Sequence, residues 1–351
     1  MSCTTQGRNL DCVLDMTWVI CRACGTIQLE KLVPLAQLYD ENHNDAVGKT
    51  WQDHNESFCK FIGRYHPVNV LEIGGGSGKI ARAFLSQDGA ALSSWTLLEP
   101  NPILNFTDGK LSLIKAWLSE LSAGDCHNTD TVVHSHVLEH FYSPESEIAR
   151  IASLFPRGHQ MIFSVPDLKS WLKAKFFNAL MFEHSYLLDE SVLFYLMAKH
   201  GYEAKGSERF RDHSIFYCFQ KVSERQTAVL PVQAAPNAEL FKAYIDYCKS
   251  ETQAIAAQIA KLPADSAVYL FGAHIFSQIL LHFGLAENSL KGVLDNSNGK
   301  KGKRLYGHGL QVYDPAIIRD DAKPVVVLRA GTYNAEISKQ LLSLNPRTTI
   351  V

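Results

Sequence analysis

Residues 70–78 read Val-Leu-Glu-Ile-Gly-Gly-Gly-Ser-Gly, an apolar strand that ends in an acid and runs straight into a glycine turn before a helical stretch over residues 79–85. Glycines at 74, 76 and 78 let backbone N–H groups approach a ligand with no Cβ in the way, and Glu72 stands where it can reach a polar or cationic group. The chemistry is that of a site for a nucleoside whose tail lies near a helix N-terminus. A second acid, Glu99, closes the apolar run 95–98, where a carboxylate at a strand end can take both hydroxyls of a ribose. Trp117 and His136 complete the candidate cofactor set.

Those residues must be carried by strands. Residues 130–133 form a further strand running into His134-Ser135-His136-Val137-Leu138-Glu139-His140, and 161–166 (Met-Ile-Phe-Ser-Val-Pro) form the next. The E-x-G-x-G-x-G turn, the "HVLEH" segment and the "VP" strand end resemble the class I S-adenosylmethionine-dependent methyltransferases. A nicotinamide-binding fold is the alternative, but the spacing after Gly78 matches its G-x-G-x-x-G poorly. If 132–136 is a strand, His134 and His136 share one face. The cluster His134, His136, Glu139 and His140 then has the look of a metal site, although loop packing or a place near the transferred group is the preferred reading.

The chain has 351 residues, long enough for two cores. With 34 basic and 36 acidic residues the formal charge is −2, and no basic face argues for a nucleic-acid partner. No apolar run reaches membrane-spanning length and the first residues lack a signal-peptide core, so a cytoplasmic location is expected. Cys3, Cys12, Cys21 and Cys24 crowd the start, and C-x-x-C-G can aim two thiolates at one zinc ion. The interval between Cys3 and Cys12 is longer than a regular half-site, and a metal-free arm is the alternative. A linker is expected over 222–237, then a long amphipathic helix, then a second α/β unit with strands at 268–271, 292–296, 324–328 and 348–351. The expected division is a cysteine-rich arm over 1–50, a doubly wound α/β domain over 51–225 and a Rossmann-like α/β domain over 226–351.

This order of units, with Cys21 to Gly25, Trp51 and His54, the glycine turn, Glu183-His184 with Tyr186, and Leu294 to Ser297, resembles the three-domain sugar C-methyltransferases, which act on nucleotide-linked 4-keto deoxysugars. The resemblance implies S-adenosylmethionine and zinc as cofactors, a nucleotide-sugar as substrate, His184 as base and Glu183 as its orienting carboxylate. Tyr186, His43, Lys303 and Arg304 fall on the substrate side, the last two within a basic run that reads first as a solvated loop and alternatively as a diphosphate clamp. Met181 and Phe182 depart from that family's Tyr-His-Glu-His, removing a phenol and an imidazole from the expected site. O-methyl transfer to a sugar, or a cofactor-binding protein without transfer, are the alternatives.

Overall fold

The computed structural model describes residues 3–38, 48–88, 91–102 and 109–351; His43 lies outside the described residues. Seven strands build the central sheet: β1 Asn69–Ile73, β2 Ser94–Leu98, β3 Leu111–Ile114, β4 Thr131–Ser135, β5 Gln160–Pro166, β6 Tyr202–Phe210 and β7 Ser214–Lys221. Their order is β6-β7-β5-β4-β1-β2-β3, with β1 to β5 parallel and β7 antiparallel to both of its neighbours. Strand residues alternate between two cores, which is why these strands are apolar almost throughout. Val70, Val133 and Ile162 meet Phe58, Ile62 and Phe84 on one face. Leu71, Val132 and Met161 meet Ile148, Ile151 and Leu193 on the other. The chain turns back across the sheet between β1 and β4, and ligands of open parallel sheets sit outside the carboxyl ends at such a reversal.

Helix α1, Lys49–Gly63, buries Phe58, Phe61 and Ile62 at helical spacing and also His54. Its N-terminus has no side-chain cap of its own. Glu336, from the far end of the chain, accepts from the N–H groups of Lys49 (2.9 Å) and Thr50 (3.3 Å) and from the Thr50 hydroxyl (3.1 Å). A carboxylate there satisfies orphan donors and complements the positive end of the helix.

The last third of the chain forms a five-stranded parallel sheet from β8 Ala267–Phe271, β9 Gly292–Leu294, β10 Val312–Tyr313, β11 Pro324–Val327 and β12 Thr349–Ile350, in the order β10-β9-β8-β11-β12. A 26-residue helix, α2 Ala234–Ile259, packs Tyr244, Cys248 and Ile255 against this sheet and against Trp171, Phe177 and Leu180. It starts earlier than the run of Ser, Gln, Ala and Pro at 222–237 suggests. Pro236 lies in its first turn, where a missing N–H costs nothing.

The strands of the N-terminal arm join those of the larger units. Trp18–Ile20 pairs with Ile27–Leu29, which pairs with Tyr186–Leu187, and Cys3–Thr4 pairs with Arg304–Leu305. The arm thus ties both larger units together. None of the helices is long and apolar enough to cross a membrane among the described residues.

Candidate functional site

The glycine turn leaves β1 with left-handed backbone at Gly74 (φ 70°), Gly76 (52°) and Gly78 (69°), conformations that L side chains rarely adopt. A Cβ on Gly74 would lie 2.6 Å from Cγ2 of Val137, so glycine here lets the turn press against the segment after β4. Glu99, at the end of β2, accepts from the N–H of Gly76 (3.1 Å) and of Asn101 (3.0 Å). A carboxylate has about four lone-pair sites, so two bonds leave room for two hydroxyl donors. Glu72 plays a different part from a surface contact. It is 2% exposed and accepts from the indole N–H of Trp95 at 2.7 Å, and burial pushes its carboxyl up to about 8. It braces the turn from beneath. Trp117, beyond β3, is 45% exposed at the carboxyl edge of the sheet.

The second group of chemical side chains lies beside that turn. Glu139, His140 and His184 each bring a ligating atom within 4.8 Å of the others. Two segments hold them in place: the Tyr186 hydroxyl donates to the Leu138 carbonyl, and the Ser185 hydroxyl donates to the Phe141 carbonyl at 3.2 Å. Both carboxyl oxygens of Glu139 and Nδ1 of His184 are buried without a hydrogen bond. Buried polar atoms left this way are rare enough to need a reason. Burial pushes the Glu139 carboxyl up to about 7 and drives His184 well below its ordinary value, with His140, His136 and His274 adding repulsion. Burial likewise lowers His140, against the attraction of Glu139.

The carboxyl beside His184 in this group is Glu139, whereas the Glu183 that precedes it in sequence offers its backbone carbonyl to His140. Glu183 lies in a bend and His184 outside the strand that begins at Tyr186, so sequence adjacency alone does not make a carboxylate–imidazole pair. Tyr186 is 5% exposed and spends its hydroxyl on Leu138, so it positions the turn and is closed to substrate. The equal facing of His134 and His136 does not hold either. His134 stacks on Phe163 in the core at 4.7 Å, while His136, past the strand end at φ 54°, turns its ring toward Trp51, His54 and His213. His136 therefore stands near the turn through its neighbour Val137.

The basic run is also divided. Arg304 is buried and forms a two-pronged pair with Asp11 (2.5 and 2.8 Å), with further bonds to the carbonyls of Gln6 and His308. That guanidinium holds Asp11 below the usual carboxylate range and is not available to a diphosphate. Lys303 remains half-buried beside it. Arg304→Ala would strand a buried carboxylate, so we expect a loss of about 3–5 kcal/mol in unfolding free energy, read from urea titration.

The four N-terminal cysteines do not converge. Cys3 is buried, its thiol donating to the Ala273 carbonyl at 3.5 Å, and Cys12 is exposed with its N–H on the Tyr306 hydroxyl. No three of the four thiols fall within 4.8 Å of one another among the described residues. The pairing of residues 3–4 with 304–305 carries Cys3 into the strand and away from the turn. Only Cys21 and Cys24 share a turn, where backbone N–H groups of Cys24 and Ala23 lower the Cys21 thiol. The residues present do not fit a four-thiolate zinc site.

Sequence reasoning missed His54 and His213 as partners of His136. His54 comes from α1 and His213 from the β6–β7 turn, and nothing local in sequence links three such distant segments.

Residues 35–205 match a family model described as a methyltransferase domain. Human N-acetylserotonin methyltransferase in complex with SAM aligns at 12% identity over 49% of this chain and 53% of its own, with a TM-score of 0.42. The mitomycin 7-O-methyltransferase MmcR aligns at 15% identity over 48% and 54%, with a TM-score of 0.39. The plantazolicin methyltransferase BpumL in complex with SAH aligns at 12% identity over 50% and 85%, with a TM-score of 0.39. The chain thus spans about half the length of the first two, and likenesses this loose do not bear on substrate. No curated protein matched the chain. Residues 35–205, which carry most of the doubly wound sheet, thus form a methyltransferase domain.

Proposed function

We propose that the chain moves the methyl group of S-adenosylmethionine to a nucleotide-linked sugar, at a carbon beside a keto group, with His184 as the base. The cofactor assignment is supported by the glycine turn and by Glu99, whose free lone pairs face the carboxyl edge of the sheet where ribose hydroxyls would be accepted. Glu99→Gln should lower S-adenosylmethionine affinity roughly tenfold to a hundredfold, since hydrogen bonds to a charged group are worth about 1.5–3 kcal/mol. Calorimetric titration reads the change.

The observation that carries the base assignment is the buried set of unbonded atoms on Glu139 and His184. When bound, the cofactor supplies an electrophilic methyl on a sulfonium, which needs orientation more than acid–base help unless the acceptor must first lose a proton. His184 is neutral at pH 7 because burial disfavours its charged form, so its ring can accept a proton from the carbon. The imidazolium so formed would be costly in a dry site, and Glu139, raised to about 7 and so present partly as carboxylate at pH 7, compensates it.

A nucleotide-sugar is favoured because the C-terminal parallel sheet places Gly272 to His274, after β8, and Asp295, after β9, at the kind of edge that receives nucleotides; Asp295 accepts from the Ala273 N–H at 2.8 Å. His274 comes near enough to His184 to depress it, which supports a second Rossmann-like unit covering the substrate. The test is exchange of the sugar's α-proton with deuterated solvent when the cofactor is replaced by S-adenosylhomocysteine. Exchange supports the reading; methylation of a hydroxyl without exchange turns it to O-methyl transfer.

A further inference from the structure

Three imidazoles from distant segments form a nearly equilateral triangle. The ring centroids of His54 and His136 are 5.3 Å apart, those of His54 and His213 5.3 Å, and those of His136 and His213 5.4 Å. A zinc–nitrogen bond of about 2.0–2.1 Å puts each imidazole centroid roughly 3.2 Å from the ion, and a tetrahedral angle then separates centroids by roughly 5.2 Å. One ring nitrogen of each histidine also lies within 4.8 Å of the other two.

The hydrogen bonds divide the six nitrogens into two sets. His54 Nδ1 faces the Asn55 side-chain oxygen (3.1 Å), His136 Nδ1 faces the Glu139 carboxyl (3.4 Å), and His213 Nε2 faces the Tyr333 hydroxyl (2.9 Å). Groups in such positions around the outer nitrogens orient metal-ligating histidines. In the tautomers that a metal requires, hydrogen sits on those outer nitrogens and lone pairs point inward from His54 Nε2, His136 Nε2 and His213 Nδ1. Those three face only two hydroxyls: Ser164 for His54 (2.9 Å), and Ser214 for both His136 (2.9 Å) and His213 (2.5 Å). One Ser214 hydroxyl serves both His136 and His213, and a cation would take the three inward lone pairs at once. Trp51 closes one side, its ring 4.6–5.2 Å from each of the three. The left-handed backbone of His136 is the kind of strain that functional sites retain.

We propose that His54, His136 and His213 form a three-histidine site for a divalent first-row transition metal with the ligand preference of zinc. Imidazole suits zinc, copper, iron and nickel, and the absence of a carboxylate or carbonyl oxygen among the three ligands argues against calcium and magnesium as the fitted ions. The site is separate from Cys21 and Cys24, and it does not depend on which acceptor is methylated.

Cobalt(II) is the probe. The full chain carrying Cys21→Ser and Cys24→Ser, freed of metal by chelation, should take up one Co2+ and show the visible bands of a four-coordinate ion without the near-ultraviolet absorption of a thiolate ligand. His136→Ala in that background should weaken Co2+ binding at least a hundredfold, and Glu139→Gln, which loosens the partner of His136, about tenfold. No visible band at millimolar Co2+ in the cysteine-substituted chain would overturn the proposal without recourse to any histidine variant. A titration unchanged by His136→Ala in a chain that keeps its circular dichroism would also overturn it.

Discussion

His184→Ala is expected to lower turnover a hundredfold or more while S-adenosylmethionine affinity stays nearly unchanged, because a positioned general base contributes roughly 10²–10⁴ in rate and does not contact the cofactor. Glu139→Gln should also lower turnover, since it leaves the His184 imidazolium without a compensating carboxylate in a buried site. The two effects should fall short of adding, as expected for residues that act as one unit. Glu183→Gln should cost much less, because Glu139 rather than Glu183 belongs to the group around His184. Steady-state kinetics alongside calorimetric cofactor titration separates these outcomes. A His184→Ala protein with wild-type turnover would end the assignment and turn attention to His136 and His140.

The second large effect is on stability against acid. Burial lowers His54, His134 and His136 to about 3, His159 to about 4 and His213 to about 2. In the unfolded chain these groups bind protons below about 6.5, while the folded chain refuses them down to those lower values, so their stabilisation is complete above 6.5 and is lost as pH falls below it. Glu72 and Glu139 act oppositely. Raised to about 8 and about 7, they stay protonated in the fold while the unfolded chain ionises above about 4.5, so they withdraw stability as pH rises through that window. Five histidines outweigh two carboxyls between pH 6.5 and 4.5, and each uncompensated proton is worth about 1.4 kcal/mol per pH unit. Urea midpoints should therefore fall steeply below pH 6.5, with unfolding before pH 4.5, and should decline gently above pH 7. A midpoint that holds constant from pH 7 to 5 would mean that these histidines are hydrated or charged in the fold.

Much of the central sheet was legible because its signals are local. A strand ending in Glu72, three glycines at left-handed positions and a second strand ending in Glu99 can be read from spacing alone, and β1, β2 and the helix after Gly78 lie where that spacing puts them. What escaped was set by pairing over long separations. Arg304 reads as a phosphate ligand within its basic run, but its partner Asp11 is 293 residues away. Cys3 and Cys12 read as half of a zinc site, but pairing of residues 3–4 with 304–305 draws the arm along the C-terminal unit. The Glu183-His184 adjacency suggested a dyad. The true neighbour, Glu139, arrives on another segment pinned by Tyr186.

The central claim is that the glycine turn and Glu99 bind S-adenosylmethionine for methyl transfer, and its most direct test is isothermal titration calorimetry of the wild-type chain with S-adenosylhomocysteine. The account predicts saturable binding at one site per chain, weakened tenfold to a hundredfold by Glu99→Gln. Absence of binding at millimolar S-adenosylhomocysteine, with saturable binding of a nicotinamide dinucleotide in its place, would contradict it.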